Sequence, residues 1–262
     1  MDNEPIVSSF RAADGSRATI EYYERLDSTV ELAKKYAKEG FGDRYIIVSA
    51  EQSSSKITGT RLREGEYERG IFISCLLRPS IFASQAGLLG HISAVGLLTA
   101  LEEHTSKHLG LGWITDIYCD GERIGGCSIE GKLDNFSTYE YLIVSFGARL
   151  DKKSFPPRLG DMIKKVFEED TVSLEMLIAK EIIDKFLLAY SSIRTPGKYM
   201  DIYSRRFILR DKKMRFIHED KKRYCKVLDV DKDSGALIIE YRGDELKLSS
   251  PRSVIIPKRI KL

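Results

Sequence analysis

The sequence has few of the residues from which metal and covalent sites are built by spacing. It holds four histidines (His91, His104, His108 and His218), four cysteines and one tryptophan in 262 residues. No His-x-x-x-His or mixed Cys/His spacing suits zinc, so no metal site is expected from the chain itself. Cys75, Cys119, Cys127 and Cys225 form no Cys-x-x-Cys pair, which leaves neither a thioredoxin-type motif nor a disulfide framework. A Gly-x-Ser-x-Gly nucleophile elbow and a Gly-x4-Gly-Lys-Ser/Thr phosphate loop are both missing. No apolar run reaches the ~18–20 residues of a membrane span. The longest, Leu88 to Leu101, includes His91 and Ser93. The opening Met1-Asp-Asn-Glu-Pro5 has neither the basic nor the apolar region of a secretion signal. These absences together predict a reduced, cytoplasmic chain with no membrane partner.

What is present is enough for a sizeable core: 42% hydrophobic residues, with 13 Tyr and 11 Phe. The net charge of +3 hides an asymmetry. Residues 205–262 carry 17 Lys/Arg against 9 Asp/Glu, and the preceding 204 carry 25 against 30. A separate basic module at the C-terminal end is expected, either a solvated lysine-rich surface or a patch for an acidic partner.

Local patterns supply the elements. Ser28 and Glu31 have capping-box spacing, Val30, Ala33 and Ala37 share a helical face, and Gly40 can take the left-handed C′ position, so a helix is predicted over Thr29–Glu39. Tyr45–Ala50, Gly70–Leu77 and Tyr139–Ala148 read as buried strands. Helical periodicity marks 84–104 and the stretch from Leu174 to Leu187. Asp120-Gly121 is a strong two-residue hairpin turn. With that loop Cys119 pairs with Glu122, Asp116 faces Gly125, Ile114 faces Cys127, and Arg123 lies diagonal to Asp116. From Phe207 on, short strands alternate with the turns Asp231-Lys-Asp-Ser-Gly235 and Arg242-Gly243-Asp244, which suggests a small β-barrel. The fold class is therefore α+β: a mixed sheet flanked by helices over 1–204, then an all-β module over 205–262.

Two features remain for chemistry. The polar loop Glu51-Gln-Ser-Ser-Ser-Lys-Ile-Thr-Gly-Thr-Arg61 joins two buried strands, and its small residues and cations suit an anion. Gly125-Gly126 would let a ligand approach the sheet backbone. Taken alone, a flexible surface loop and an ordinary bulge explain them equally well.

In chain order, Leu26-Asp-Ser-Thr29, Ala50-Glu-Gln-Ser53, the polar loop, Gly70-Ile-Phe-Ile-Ser-Cys-Leu-Leu-Arg-Pro79, Gly112-Trp-Ile-Thr-Asp116, Gly121-Glu-Arg-Ile-Gly-Gly126 and Tyr141-Leu-Ile-Val-Ser-Phe-Gly147 resemble the biotin–protein ligase family. Tyr203-Ser-Arg-Arg206 and Lys226-Val-Leu-Asp-Val-Asp231 are similar to the entry and first strands of that family's SH3-like module. The resemblance implies the biotin/lipoate ligase fold with an SH3-like C-terminal barrel. It also implies biotin and ATP as substrates, with magnesium, and transfer of biotin through its adenylate to a lysine of a carboxyl carrier domain. Carried over by position, Lys56, Arg61 and Arg123 would be the catalytic cations. Ser28, Thr29, Gln52, Thr58, Gly112, Trp113, Asp116, Gly125 and Gly126 would bind substrate, with Ser28, Thr29 and Gln52 holding the ureido ring. Ser28 is equally well explained as a helix cap. A homodimer through the central sheet is also implied; the family's operator-binding domain is not, and no DNA partner is expected.

The chain departs from the family pattern at several points. Ser55-Lys-Ile-Thr-Gly-Thr-Arg61 stands for Gly-Arg-Gly-Arg-x-Gly-Arg, with Thr58 at the second arginine. Gly112 replaces the lysine of Lys-Trp-Pro-Asn-Asp, Val30 replaces an asparagine, and Ser145-Phe-Gly-Ala-Arg149 replaces Gly-Ile-Gly-x-Asn. Loss of a lysine and an arginine predicts weak or absent turnover. The alternatives are a non-catalytic descendant that binds a small carboxylate, a nucleotide or a carrier protein, and a lipoate- or octanoyl-transfer relative.

Overall fold

Ser28 starts the first helix as predicted. In the computed structural model, which describes residues 4–53, 67–148, 174–256 and 259–260, its extended backbone and its Oγ, accepting from Glu31 N at 3.3 Å, cap α1 (Thr29–Lys38). Gly40 takes φ +84° just beyond the helix end. The helix connects two strands that run parallel, β2 (Arg17–Leu26) and β3 (Tyr45–Gln52), as a crossover must. Before it, β1 (Ile6–Arg11) pairs antiparallel with β2 in a hairpin.

The remaining strands are antiparallel: β4 (Glu68–Leu77), β5 (Leu109–Leu111), β6 (Asp116–Cys119), β7 (Glu122–Leu133) and β8 (Tyr139–Ala148). They complete an eight-stranded mixed sheet in the order β1-β2-β3-β4-β8-β7-β6-β5. Strand alternation divides its residues between two faces. Ile47, Leu76 and Ile143 meet Ala33 and Ala37 of α1. On the opposite face Ile46, Ile73, Cys75, Val144 and Phe146 join α2 (Leu89–Glu102) and α3 (Leu174–Tyr190) in the main core. A single-turn 3-10 segment precedes α2, which is shorter than the 84–104 reading. Together, Ala83–Glu102 is long and apolar enough to cross a membrane by length and composition, but 67% of that window is buried inside the protein, so it serves as a core helix.

The Asp120-Gly121 turn forms as read, with both residues at positive φ, and Cys119 pairs with Glu122 and Tyr118 with Arg123. The register then shifts by one residue. Ile124 is the extra residue of a bulge, so Ile117 pairs with Gly125 and Asp116 with Gly126, not with Gly125. Ile114 lies outside the strand and does not face Cys127; Cys127 N instead donates to Thr115 O at 3.2 Å.

After α4 (Gly197–Arg206), the C-terminal module is a five-stranded antiparallel sheet: β9 (Lys213–His218), β10 (Lys221–Val230), β11 (Leu237–Tyr241), β12 (Asp244–Leu248) and β13 (Val254–Ile255), in the order β12-β11-β10-β9-β13. Its inward residues Met214, Phe216, Val227 and Ile239 are continuous with the main core. The boundary read at 204/205 falls in the last turn of α4.

Candidate functional site

The end of the sheet formed by the close of β2 and β3 is polar and buried. Thr29 is 2% exposed and Gln52 3% exposed. The Thr29 backbone N–H donates to Gln52 Oε1 at 2.6 Å, so the Gln52 amide serves the first turn of α1, where helix N–H groups lack intrahelical partners. Three hydroxyls follow across the sheet. Ser74 Oγ donates to Thr29 Oγ1 at 3.0 Å and lies 2.9 Å from Ser145 Oγ. Both serines are fully buried and are cross-strand partners on β4 and β8. The structure thus brings Ser28, Thr29 and Gln52 together, and adds Ser74 and Ser145, which the sequence reading missed. A lone serine following an apolar run in each of two buried strands, Ile-Phe-Ile-Ser74 and Leu-Ile-Val-Ser145, was the available signal.

The rim is anchored by Asp27. Its Oδ1 accepts from Ser53 Oγ at 2.8 Å and from Tyr67 Oη at 3.2 Å, joining the ends of β3 and β4 at the foot of α1. Arg25 bonds Glu51 at 2.7 Å and lies over the Tyr67 ring at 4.5 Å. Lys56, Thr58 and Arg61 lie outside the described residues.

A second group of predicted residues is reached along one row of the same face. Ser49, Phe72, Gly147, Gly126 and Asp116 are successive cross-strand partners on β3, β4, β8, β7 and β6. Four strand intervals separate β3 from β6, about 19 Å at ~4.8 Å each. At the far end Arg123 Nε bonds Asp116 Oδ1 at 2.7 Å, with both side chains about one-fifth exposed. Burial raises the Asp116 carboxyl above its ordinary pKa, and Arg123 pulls against that shift. The diagonal contact read from the sequence is therefore an ion pair.

The other residues assigned to substrate here are engaged with protein. A Cβ on Gly112 would stand 2.7 Å from the Tyr118 ring, which occupies the space a lysine at 112 would enter. Tyr203 Oη donates to Gly112 O at 2.7 Å and to Ile114 O at 3.0 Å, fixing the segment from below. Trp113 is 1% exposed, and its indole N–H donates to Gly235 O at 2.9 Å, so it docks the C-terminal module. His91 Nε2 shares that acceptor at 3.1 Å. Burial lowers the His91 pKa to about 4. A Cβ on Gly126 would meet Thr115 O at 2.6 Å, and one on Gly125 would run into the Gly147 carbonyl. The two glycines thus permit close approach of the protein's own backbone at the bulge.

The comparisons with known proteins agree with this architecture. No family model matches the chain. The bifunctional ligase/repressor BirA of Bacillus subtilis is 22% identical over 143 residues, 54% of this chain and 44% of that protein. BirA of Bacillus spizizenii is 22% identical over 171 residues, covering 64% and 51%. The chain spans about half the length of the curated relatives it matches. Among solved structures, biotin protein ligase from Aquifex aeolicus, in complex with biotin and ATP, superposes with a TM-score of 0.64 at 14% identity, over 89% of this chain and 96% of that one. A biotin protein ligase-like protein of unknown function from Silicibacter gives 0.58 at 13%, over 88% and 94%. The synthetase from Helicobacter pylori with bound biotinylated ATP gives 0.51 at 18%, over 87% and 98%. The chain has the biotin protein ligase fold, as the ordered sequence segments implied.

Proposed function

We propose that this protein binds biotin, or a closely related small carboxylic acid, at the Thr29–Gln52 end of the sheet, with ATP as co-substrate for activation to an acyl-adenylate. The observation that carries the reading is the buried Ser145–Ser74–Thr29 hydroxyl run beside Gln52. Polar side chains at such depth are costly unless a partner meets them, and hydroxyl and amide groups suit a urea, which both donates and accepts. The row toward Asp116 and Arg123 is long enough for an extended adenylate. Arg123 is the described cation at its far end, and Lys56 and Arg61 are the further cations this reading assigns to the phosphates. Magnesium, with its preference for oxygen ligands, would enter bound to the nucleotide.

A second reading is favoured by specific contacts: the acid is bound and not turned over. Tyr118 fills the space beside Gly112, and Asp116 already neutralises Arg123, so charge-assisted donors toward a developing acyl-phosphate are few. Transfer to a lysine of a carboxyl carrier domain belongs to the first reading only. Calorimetry with biotin followed by single-turnover pyrophosphate release separates them. Heat with pyrophosphate supports the ligase-type reaction, and heat without it supports the binder. No heat at high micromolar biotin overturns both.

A further inference from the structure

The outer face of the C-terminal sheet carries cations that the fold does not require. Residues 205–262 hold 17 Lys/Arg against 9 Asp/Glu. Along β9 and the first half of β10, Lys213, Arg215, Ile217, Lys222, Tyr224 and Lys226 are exposed, while Met214, Phe216 and Cys225 between them are buried. Lys213 stands directly opposite Lys226, Arg215 opposite Tyr224 and Ile217 opposite Lys222. Like charges directly opposed across a ladder are destabilising. Among the described residues only Lys226 of these cations has an acidic partner, Asp211 at 2.8 Å; no ion pair holds Lys213, Arg215 or Lys222.

One aromatic ring sits at the centre of these charges. Tyr224 is 62% exposed, with Arg215 across the ladder, Lys222 and Lys226 two residues away on its own strand, and Lys213 Nζ 5.0 Å from the ring centroid. A 350 Å³ groove beside the ring is lined by Lys213, Lys226 and Arg242; Asp211 and Glu240 also border it, both next to Lys226. An acidic protein surface would use the cations and leave the ring without a role. An unpaired nucleic acid strand uses both, because its bases stack on exposed aromatic side chains while cations follow its phosphates. A duplex fits poorly. The five-stranded sheet spans four strand intervals, about 19 Å at ~4.8 Å each, against about 12 Å for a major groove.

We propose that this face docks single-stranded RNA, the nucleic acid that presents unpaired bases in its loops and ends. Phosphates lie on Lys213, Arg215 and Lys222, and one base stacks on Tyr224. The surface shares no residue with the Thr29–Gln52 site, so the inference stands or falls independently of the proposed function.

The test is fluorescence anisotropy of a labelled oligouridine of about twelve nucleotides, titrated with the full chain in the absence of biotin. Micromolar binding is expected at about 50 mM salt, weakening about 20-fold at about 200 mM, the dependence for three phosphate contacts on a single strand. Tyr224→Ala should weaken binding about fivefold or more, and Tyr224→Phe, which keeps the ring, should bind as the wild type does. Arg215→Ala should weaken binding and reduce the salt dependence by about one-third. Both side chains are exposed, and unchanged urea midpoints show that the variants fold; Lys222→Ala, read by the same salt dependence, stands in for one that does not. No binding at the lower salt, or binding that Tyr224→Ala and Arg215→Ala leave unchanged, overturns the inference. Displacement by poly-glutamate as readily as by unlabelled oligouridine, or equal affinity for a duplex of the same length, also overturns it, since neither uses the ring as a stacking platform.

Discussion

The Tyr118 ring lies 2.7 Å from the point where a Cβ on Gly112 would stand, so the tyrosine at 118 requires a glycine at 112. Tyr118 is 1% exposed and cannot swing into solvent without opening the core. Gly112→Ala is expected to cost about 1–3 kcal/mol by overpacking. Tyr118→Leu gives up ring packing but makes room. The double variant should lose less stability than the two single losses added, with a coupling of at least ~0.5 kcal/mol in a urea-denaturation cycle. Strict additivity would show that the two residues do not compete for space.

This pair also explains why restoring a lysine at 112 is not a simple repair. The lysine stem would have to displace a buried ring, so Gly112→Lys alone should lower stability and leave pyrophosphate release unchanged. Rate and urea midpoint measured on the same preparation check both halves.

The Arg123–Asp116 pair gives a pH-dependent expectation. The folded-state pKa of Asp116 is raised, so the native state holds its proton more tightly than the unfolded chain. Stability linked to this group therefore falls as pH rises from the ordinary carboxylate range through the raised value. Arg123→Gln removes the opposing charge and deepens that fall. Its destabilisation should be about 1–3 kcal/mol at pH 7 and visibly smaller near pH 4, read from urea midpoints. Equal losses at the two pH values would contradict the assignment.

His91 has the opposite sign. Its folded pKa, about 4, lies below the ordinary 6.5 because burial disfavours the charged ring. The unfolded state therefore binds more protons between those values, and stability is lost as pH falls through that window. The loss approaches roughly 3 kcal/mol at 1.36 kcal/mol per pKa unit. His91→Gln, which keeps a donor for Gly235 O, should flatten that part of the stability curve.

Much of this fold could be read from local chemistry. Ser28, Glu31 and Gly40 bounded α1, Asp120-Gly121 placed the hairpin, and β-branched runs located β3, β4 and β8. A bulge was one of the two readings open at Gly125-Gly126, but its place at Ile124 could not be read, because only the pairing of β7 with β6 reveals the extra residue. The parallel pairing of β2 with β3 was equally hidden, since it depends on α1 crossing the sheet. At the site, Ser28, Thr29 and Gln52 converge as their order implied. Trp113, Gly125 and Gly126 turned out to serve packing: indole and glycine suit a ligand and a close backbone contact alike, and spacing does not separate the two.

The central claim is that a biotin-like acid docks at the Thr29–Gln52 end of the sheet. Titrating biotin into the ¹⁵N-labelled protein and following backbone amide shifts tests it most directly. The account predicts saturable shifts at Thr29, whose N–H is held by Gln52 Oε1, and at Ser74 and Ser145, with the exposed strand face of Lys213–His218 unmoved. Saturable shifts confined to another surface, such as the 440 Å³ cavity lined by Arg78, Phe82 and Tyr139, or none at millimolar biotin, would contradict it.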